Sequence, residues 1–489
     1  MGCTTILVGK LASYDGSTLI ARNDDSPSGV FTAKKMAVML SNKMPNVYKS
    51  KISHVSISLP DYSYRFTYMP NVSKEEGIWG ASGINEHNVA MTATETITSN
   101  PRVLGADPLV NYQKAKGNKK AVPGGIGEED LVMLVLPFIK TAKEGILRLG
   151  ALLEEYGTYE SNGIAISDKN EIWWLETIGG HHFIAHRVKD DQYVVMPNQF
   201  GLDVFDFDDA FGEQKENMCS KDLREFIKDN HLDLGMGEKF NPRLAFGSHD
   251  DSDHTYNTSR AWFIEKYFNP KTFTWVGDNA DYTLESDDIP WSLVPERKIT
   301  IDDVKYALSG HYQGTNYDCY GKNIKDFKAI YRPIGISRTS FLSIAQIRPY
   351  VDDKIAAIEW IAFGSNVFNT LIPVYTNVTK IPTYLSNTTL KVSTNNFYWN
   401  NRLIGALVDA HFQTAIIHIE RYVEKTMSKN YEFIKNCDKE FVTYNDISAL
   451  EVTNEKIASM MEEETSKVLD KVLYDASNHM KNSFSRSDN

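Results

Sequence analysis

Cys3 heads a β-branched, apolar run, Thr4-Thr5-Ile6-Leu7-Val8. A thiol attacks as the thiolate, and a free cysteine titrates near ~8.5. A cysteine at a chain terminus carries its own base, because an α-amino group titrates at ~7.7–8.0. Activation of a nucleophile by a terminal amine is a general catalytic device. The device has two requirements here. A rigid element must hold the terminus, and the run after Cys3 reads as a strand. Met1 and Gly2 must also be removed. Two plainer readings compete. Cysteine often serves as a small buried hydrophobe, and Met1-Gly2-Cys3 could be an acylation signal. The myristoylation pattern asks for Ser or Thr at position six, where Ile6 stands. A lipoprotein cysteine needs an apolar segment ahead of it, and two residues cannot supply one.

Arg22-Asn23-Asp24-Asp25 is the second chemical feature. Tyr14-Asp15-Gly16-Ser17 offers turn chemistry, and Thr18-Leu19-Ile20-Ala21 reads as a strand. A hairpin built this way brings Ala21–Asp25 beside Cys3–Val8. A guanidinium next to a thiol favours the thiolate, and a carboxylate can hold an α-ammonium. A solvated turn with local Asx hydrogen bonds accounts for the same residues without chemistry.

Metal chemistry has weaker support. His249-Asp250-Asp251-Ser252-Asp253-His254 holds five ligand-type side chains, and His181, His182 and His186 add more. No His-Glu-x-x-His motif occurs, and an acidic loop sets no ligand geometry. Gly124-Gly125-Ile126-Gly127 lacks the Gly-Lys-Ser/Thr ending of a phosphate loop. The expectation is therefore no metal and no cofactor.

The elements that must position Cys3 follow from pattern. Strands are expected at Ala37–Leu40, Ile52–Ser58, Tyr64–Tyr68 and Asn88–Thr96, ahead of a helical stretch over Glu128–Tyr156. Strands return at Gly163–Ser167, Glu171–Glu176, His182–Val188 and Gln192–Met196. Asp168-Lys169-Asn170 forms a hairpin loop among them. Ser248–His254 reads as a polar loop. Mixed structure continues to about Asn400, and helices over Leu403–Lys429 and Ser448–Met480 follow. Strands, then helices, then strands point to a layered α+β domain.

Composition sets the outer limits. The 489 residues carry 52 basic and 64 acidic side chains, a formal charge of −12. Apolar residues at 42% allow a sizeable core. Nucleic acid is excluded as the main partner, because phosphate binding needs a basic surface. The longest clean apolar run, Leu131–Ile139, contains Pro137 and falls short of the ~20 residues a membrane span needs. No secretory signal opens the chain. Cys3, Cys219, Cys319 and Cys437 are too few and too far apart for a disulfide scaffold or a zinc finger. A reducing cytoplasm is the expected location.

Several blocks together resemble a known family: Cys3-Thr4-Thr5, Tyr14-Asp15-Gly16-Ser17-Thr18 and Ala21-Arg22-Asn23-Asp24-Asp25-Ser26. Gly80–Glu86, Glu171–Glu176, His311–Thr315, Arg332-Pro333-Ile334-Gly335 and Gln346-Ile347-Arg348 extend the likeness. The chain resembles the cysteine dipeptidases of the N-terminal nucleophile hydrolase superfamily over about Cys3–Tyr375. Secernins, penicillin V acylases and bile salt hydrolases are more distant relatives.

The resemblance implies an αββα sandwich of two antiparallel sheets, with helical insertions and a helical C-terminal region. It implies a catalytic domain over 3–400, a helical region over 401–482 and a mobile tail over 483–489. The nucleophile maps to Cys3. Arg22, Asn23 and Asp25 map to the family's Arg-Asn-x-Asp, its Asn to Asn198 and its late Arg to Arg260. The acylases place a further Asn where this chain has Thr94-Glu95. That departure leaves the second oxyanion donor open, and Glu95 could instead hold a substrate ammonium. The implied activity is hydrolysis of short peptides with a free N-terminus, without cofactor, by a homo-oligomer. The alternatives are an amidase acting on N-acyl amides and a secernin-like protein without peptidase activity.

Overall fold

The computed structural model describes residues 2–237, 239–321, 330–444 and 446–480. The polar tail expected at 483–489 lies outside the described residues. Strands β1 (Thr4–Val8) and β2 (Thr18–Asp25) form the opening hairpin. Four short strands follow. β3 (Ala37–Met39) pairs with β6 (Phe66–Tyr68), while β4 (Val47–Lys49) and β5 (Ser56–Ser58) pair with each other. β7 (Ser82–Ile84), β8 (Ala90–Thr96), β9 (Asn162–Ser167), β10 (Ile172–Ile178) and β11 (His182–Val188) belong to one sheet, completed by β13. β12 is Tyr193–Met196, β13 Asn217–Cys219 and β14 Ser292–Leu293. β15 (Thr339–Ile347), β16 (Ala357–Phe363) and β17 (Ile372–Tyr375) complete the other sheet.

The two large sheets are antiparallel, with orders β14-β12-β1-β2-β15-β16-β17 and β13-β11-β10-β9-β8-β7. Strand alternation decides what lies between them. Leu7, Ile20, Val194 and Ala345 of the first sheet share a core with Ala165, Trp174 and Ile184 of the second. Residues one position along point the other way. Ile6, Ala21, Val195 and Ile344 pack under helices Ser259–Phe268, Ile301–Leu308 and Phe412–Tyr444. Ile164, Trp173 and Leu175 pack under Leu131–Val135 and Ala142–Tyr156. The result is helix, sheet, sheet, helix: the expected αββα sandwich, with helices Phe397–Ala410, Phe412–Tyr444 and Ser448–Asn478 at the C-terminal end.

The helix expected over Leu403–Lys429 is two helices, Phe397–Ala410 and Phe412–Tyr444, the strand expected at Ile52–Ser58 is confined to Ser56–Ser58, and three further details differ from the sequence expectation. The helical stretch over 128–156 is broken. Pro137 has no N–H to continue the helix, so Leu136–Phe138 tightens into a 3₁₀ turn. A new helix then starts at Ala142, with the Thr141 side chain accepting from Glu144 N. The glycines in this helix serve close packing. A Cβ on Gly145 would lie 2.7 Å from Ile166, and one on Gly150 2.4 Å from Phe183. Second, the polar loop at 248–254 contains a helical turn over Asp251–Asp253, which runs into a wide turn over His254–Thr258. Third, β15 lies directly beside β2, within a stretch that the sequence pattern leaves as mixed structure.

Candidate active site

The β1–β2 register pairs Thr5 with Arg22 and Thr4 with Asn23. By alternation, Arg22 and Asp24 share the inter-sheet face with Ile20, and Asn23 and Asp25 share the outer face with Ala21. Cys3, just before β1, is fully buried. The Arg22 guanidinium donates from Nη1 to Cys3 Sγ at 3.2 Å and to Thr94 O at 2.5 Å. Nη2 donates to Ala93 O at 3.0 Å and to Ala81 O at 3.2 Å. A bulge in β8 between Ala93 and Glu95 accompanies the two consecutive carbonyls on one guanidinium. Glu128 Oε1 at 3.4 Å and Asp24 Oδ1 at 3.8 Å supply the counter-charge. Burial pushes the Cys3 thiol far up, and the neighbouring Glu95, Asp24 and Glu128 add to that rise; Arg22 opposes it. With Gly2 attached, the thiol therefore holds its proton.

Arg260 lies at the start of Ser259–Phe268 and ties three parts of the site together. Its Nη1 donates to the Cys3 carbonyl and to Thr4 Oγ1 at 2.7 Å. Its Nη2 donates to Asn198 Oδ1 at 2.7 Å and to Asn257 Oδ1 at 2.8 Å. Burial and the neighbouring Arg332 lower its pKa to about 10, against the pull of Glu95. Asn198 follows β12, and its Nδ2 donates to Glu95 Oε1 and to Thr96 O, each at 2.8 Å. Glu95 Oε2 accepts from Thr5 Oγ1 at 2.8 Å. Burial raises the Glu95 carboxyl to about 8, with Arg260, the Thr5 hydroxyl, Arg22 and Arg332 opposing.

Asp25 faces the outer layer. Its Oδ1 accepts from Thr339 Oγ1 at 2.6 Å and its Oδ2 from Arg332 Nη2. The same Arg332 Nη2 donates to Gly2 O at 2.8 Å. Gly2 is tightly seated, because a Cβ there would lie 2.2 Å from Tyr256 Oη. Asn23 turns away from the thiol. It donates to Leu308 O at 2.9 Å and accepts from Asn366 Nδ2 at 2.6 Å, which fastens β2 to the outer layer.

One connected network thus joins Cys3, Arg22, Asn198 and Arg260, while Asp25 reaches Gly2 through Arg332. Arg332 and Glu128 have no part in the sequence reading of the site. Arg332 stands in one of the blocks quoted above, so a signal was present. Glu128 sits in a short acidic run that reads as a helix start.

The family model of peptidase family C69 matches residues 2–425. The chain belongs to peptidase family C69. A dipeptidase of Bifidobacterium longum (strain NCC 2705) is 51% identical, covering 100% of both chains. A probable dipeptidase A of Streptococcus pyogenes serotype M3 is 50% identical, also over 100% of both. A probable dipeptidase B of Lactococcus lactis subsp. lactis is 40% identical over 99% of this chain and 98% of its own. Among solved structures, a mutant of the conjugated bile acid hydrolase from Clostridium perfringens aligns with 77% of this chain and 92% of its own, at 12% identity and a TM-score of 0.33. The layer order above rests on this chain's own strands.

In this C69 peptidase, the quoted blocks brace the network. Ala81 of Gly80–Glu86 gives its carbonyl to Arg22. Glu176 Oε1 accepts from Trp174 Nε1 at 3.0 Å and from Gly201 N at 2.8 Å, which pins the turn after Asn198. Tyr312 Oη donates to Arg332 O at 2.7 Å and lies 2.9 Å from Ser259 Oγ, so it spans the elements carrying Arg332 and Arg260.

The histidine-rich segments are engaged elsewhere. His254 Nε2 lies 2.9 Å from Asp287 Oδ1, and Asp253 accepts from Ser248 Oγ at 2.7 Å. His181 and His182 share Asp107, and His186 bonds Asn217. Among the described residues, the group with three metal-type donors close together is His311, Asp318 and Cys319. His311 Nδ1 lies 2.7 Å from Asp318 Oδ1, and the group shares no residue with the Cys3 network. No described helix is long and apolar enough to cross a membrane.

Proposed function

We propose that this chain hydrolyses dipeptides with a free N-terminus, using Cys3 as an N-terminal nucleophile. The observation that carries the reading is the 3.2 Å contact between Arg22 Nη1 and Cys3 Sγ in a buried network, in a chain half identical to named dipeptidases. Gly2 leaves first. The Cys3 thiol attacks the Gly2 carbonyl carbon while Arg332 holds the oxygen. The Gly2–Cys3 C–N bond breaks, the amine takes the proton, and water hydrolyses the thioester.

In the processed enzyme the freed α-amine takes the thiol proton. Arg22 stabilises the thiolate, and Asp25 orients the amine. The thiolate adds to the scissile carbonyl. Asn198 turns one amide hydrogen from Glu95 to the oxyanion, an interaction worth roughly 2.7–4 kcal/mol. The amine then protonates the leaving amino acid, and water cleaves the acyl-enzyme. Arg260 holds Asn198 and the Cys3 carbonyl in place.

The reading includes a cytoplasmic enzyme, supported by four cysteines too few and too far apart in sequence for a disulfide scaffold. It also includes a homo-oligomer, supported by exposed Val442, Leu473 and Tyr474 on the C-terminal helices.

A substrate panel tests the function. Free dipeptides should be hydrolysed and N-acylated amides should not. Excess EDTA should change the rate by no more than about twofold, because no step uses a metal. Turnover of N-acyl amides alone would make the protein an acylase-like amidase. Inertness of the processed protein on every substrate would favour a secernin-like role.

A further inference from the structure

Gly2 is buried and joined directly to Cys3, so the space it fills adjoins the Cys3 nitrogen. Arg332 forms one wall of that seat. Its Nη2 has two hydrogens, of which Asp25 Oδ2 accepts one and Gly2 O the other, at 2.8 Å. Departure of Gly2 frees the second. Arg332 is 7% exposed, and its Nε is buried without a hydrogen-bond partner. Tyr256 forms another wall. A branch from Gly2 at its Cβ position would lie 2.2 Å from Tyr256 Oη and 3.1 Å from Arg332 Nη2. Tyr256 and its neighbour Arg338 are partly exposed, which puts the seat one side chain from solvent.

Three arginines surround Tyr256. The guanidiniums of Arg332 and Arg260 lie 4.9 and 5.3 Å from its ring centroid, and Arg338 Nη2 donates to its Oη at 2.8 Å. Asp25 pairs with Arg332, and Glu95 is joined to Arg260 through Asn198. Arg338 has no carboxylate partner among the described residues; its Nη1 donates to Ser26 O at 2.6 Å. The charge on this wall that lacks a direct counter-ion belongs to arginine side chains, which match a carboxylate in shape as well as in charge.

The reaction itself fixes where the second residue of a dipeptide must lie. The Cys3 amine gives its proton to the leaving nitrogen, which must come within about 2.6–3.2 Å of it. Gly2 stands at that position before processing. The leaving residue therefore enters the seat from which Gly2 departs. Its carboxyl carbon is two bonds from its nitrogen, which brings the carboxylate to Arg332 Nη2 and, past Tyr256 Oη, to Arg338.

We propose that the seat of Gly2 becomes, once Gly2 is released, the subsite for the second residue of the dipeptide, with Arg338 and Arg332 binding that residue's free C-terminal carboxylate. The proposal rests on the peptidase reading above and names the residues that make a free C-terminus part of the substrate. One cradle then serves both reactions: it holds the Gly2 carbonyl during processing and the leaving carboxylate during turnover.

The test compares kcat/KM for Ala-Leu and Ala-Leu amide in enzyme shown by mass to begin at Cys3, and in Arg338→Gln and Arg338→Lys processed to the same point. The unsubstituted enzyme should prefer the acid by roughly 30-fold or more. Arg338→Gln should shrink that ratio by roughly 10-fold, mainly through KM, and Arg338→Lys should keep part of it. A merely structural role for Arg338 would lower both rates together and leave the ratio standing, which overturns the proposal. Product inhibition tests it without any variant: leucine should compete with the dipeptide at least about 10-fold more tightly than leucinamide. Equal inhibition by the two, or equal hydrolysis of acid and amide by the unsubstituted enzyme, overturns it as well. Failure of the processed protein to cleave any dipeptide would instead strike the peptidase reading itself.

Discussion

Replacing Cys3 by alanine should leave a folded protein whose dipeptide turnover is lowered by roughly 10⁵–10⁶. The fold tolerates the change because Cys3 precedes β1, and the strand's apolar side chains Ile6, Leu7 and Val8 stay in place. Loss of the sulfur opens a small void that costs about 1 kcal/mol. The chemistry does not tolerate it, since the remaining thiols cannot substitute. The Arg22 guanidinium touches Cys3 Sγ at 3.2 Å, and processing gives Cys3 alone a terminal amine as base. In processed enzyme, iodoacetamide should label Cys3 ahead of Cys219, Cys319 and Cys437 and abolish activity in step with that labelling. Peptide mapping against residual rate checks the order. A fully active Cys3→Ala protein would remove the nucleophile from the account.

Arg22→Leu should lower both stability and activity. The guanidinium satisfies the carbonyls of Ala81, Ala93 and Thr94 and faces Glu128 and Asp24. Removing it leaves buried acceptors and carboxylates without their cation, at a cost of about 3–5 kcal/mol. The thiolate also loses the cation in contact with it, and kcat/KM should fall roughly 10²–10³-fold. Arg22→Lys keeps the charge without the planar fork and should fall between the two. Urea denaturation with parallel dipeptide kinetics reads both effects. A leucine variant with unchanged midpoint and unchanged rate would show that Arg22 is a passive core residue.

The opening of the site was legible because its determinants are local. The Tyr14–Ser17 turn and the alternation on either side fix a hairpin register, and that register alone sets Arg22 opposite Thr5. Pattern alone gave a layered α+β domain, and the two-sheet sandwich followed from the family resemblance; in the structure Trp173 and Trp174, one position apart, go to opposite faces of their sheet. What escaped sequence reading is long-range. β15 is buried on both faces, so Thr339–Ile347 shows no alternation to mark it. Arg332 meets Asp25 across 307 residues, and no spacing rule spans that separation. Lys34 and Glu128 look like ordinary surface charges in the sequence, yet the fold leaves each almost fully buried. Glu95 was visible as a departure from the acylase pattern. The structure engages both its oxygens with Thr5 and Asn198 and shows it within the network.

The central claim is that Cys3 works as the terminal residue, with its own amine as base. In the described chain that nitrogen is an amide, joined to Gly2, whose carbonyl is held by Arg332 at 2.8 Å. An amide nitrogen accepts no proton near neutral pH, so the proposed mechanism requires the bond to be cut. Intact-mass spectrometry of enzyme purified to constant specific activity is the direct measurement. The active species should have the mass of a chain beginning at Cys3, and the Cys3→Ala protein should retain Gly2. A fully active species that still carries Gly2 would contradict the account, because the base would then be some other group.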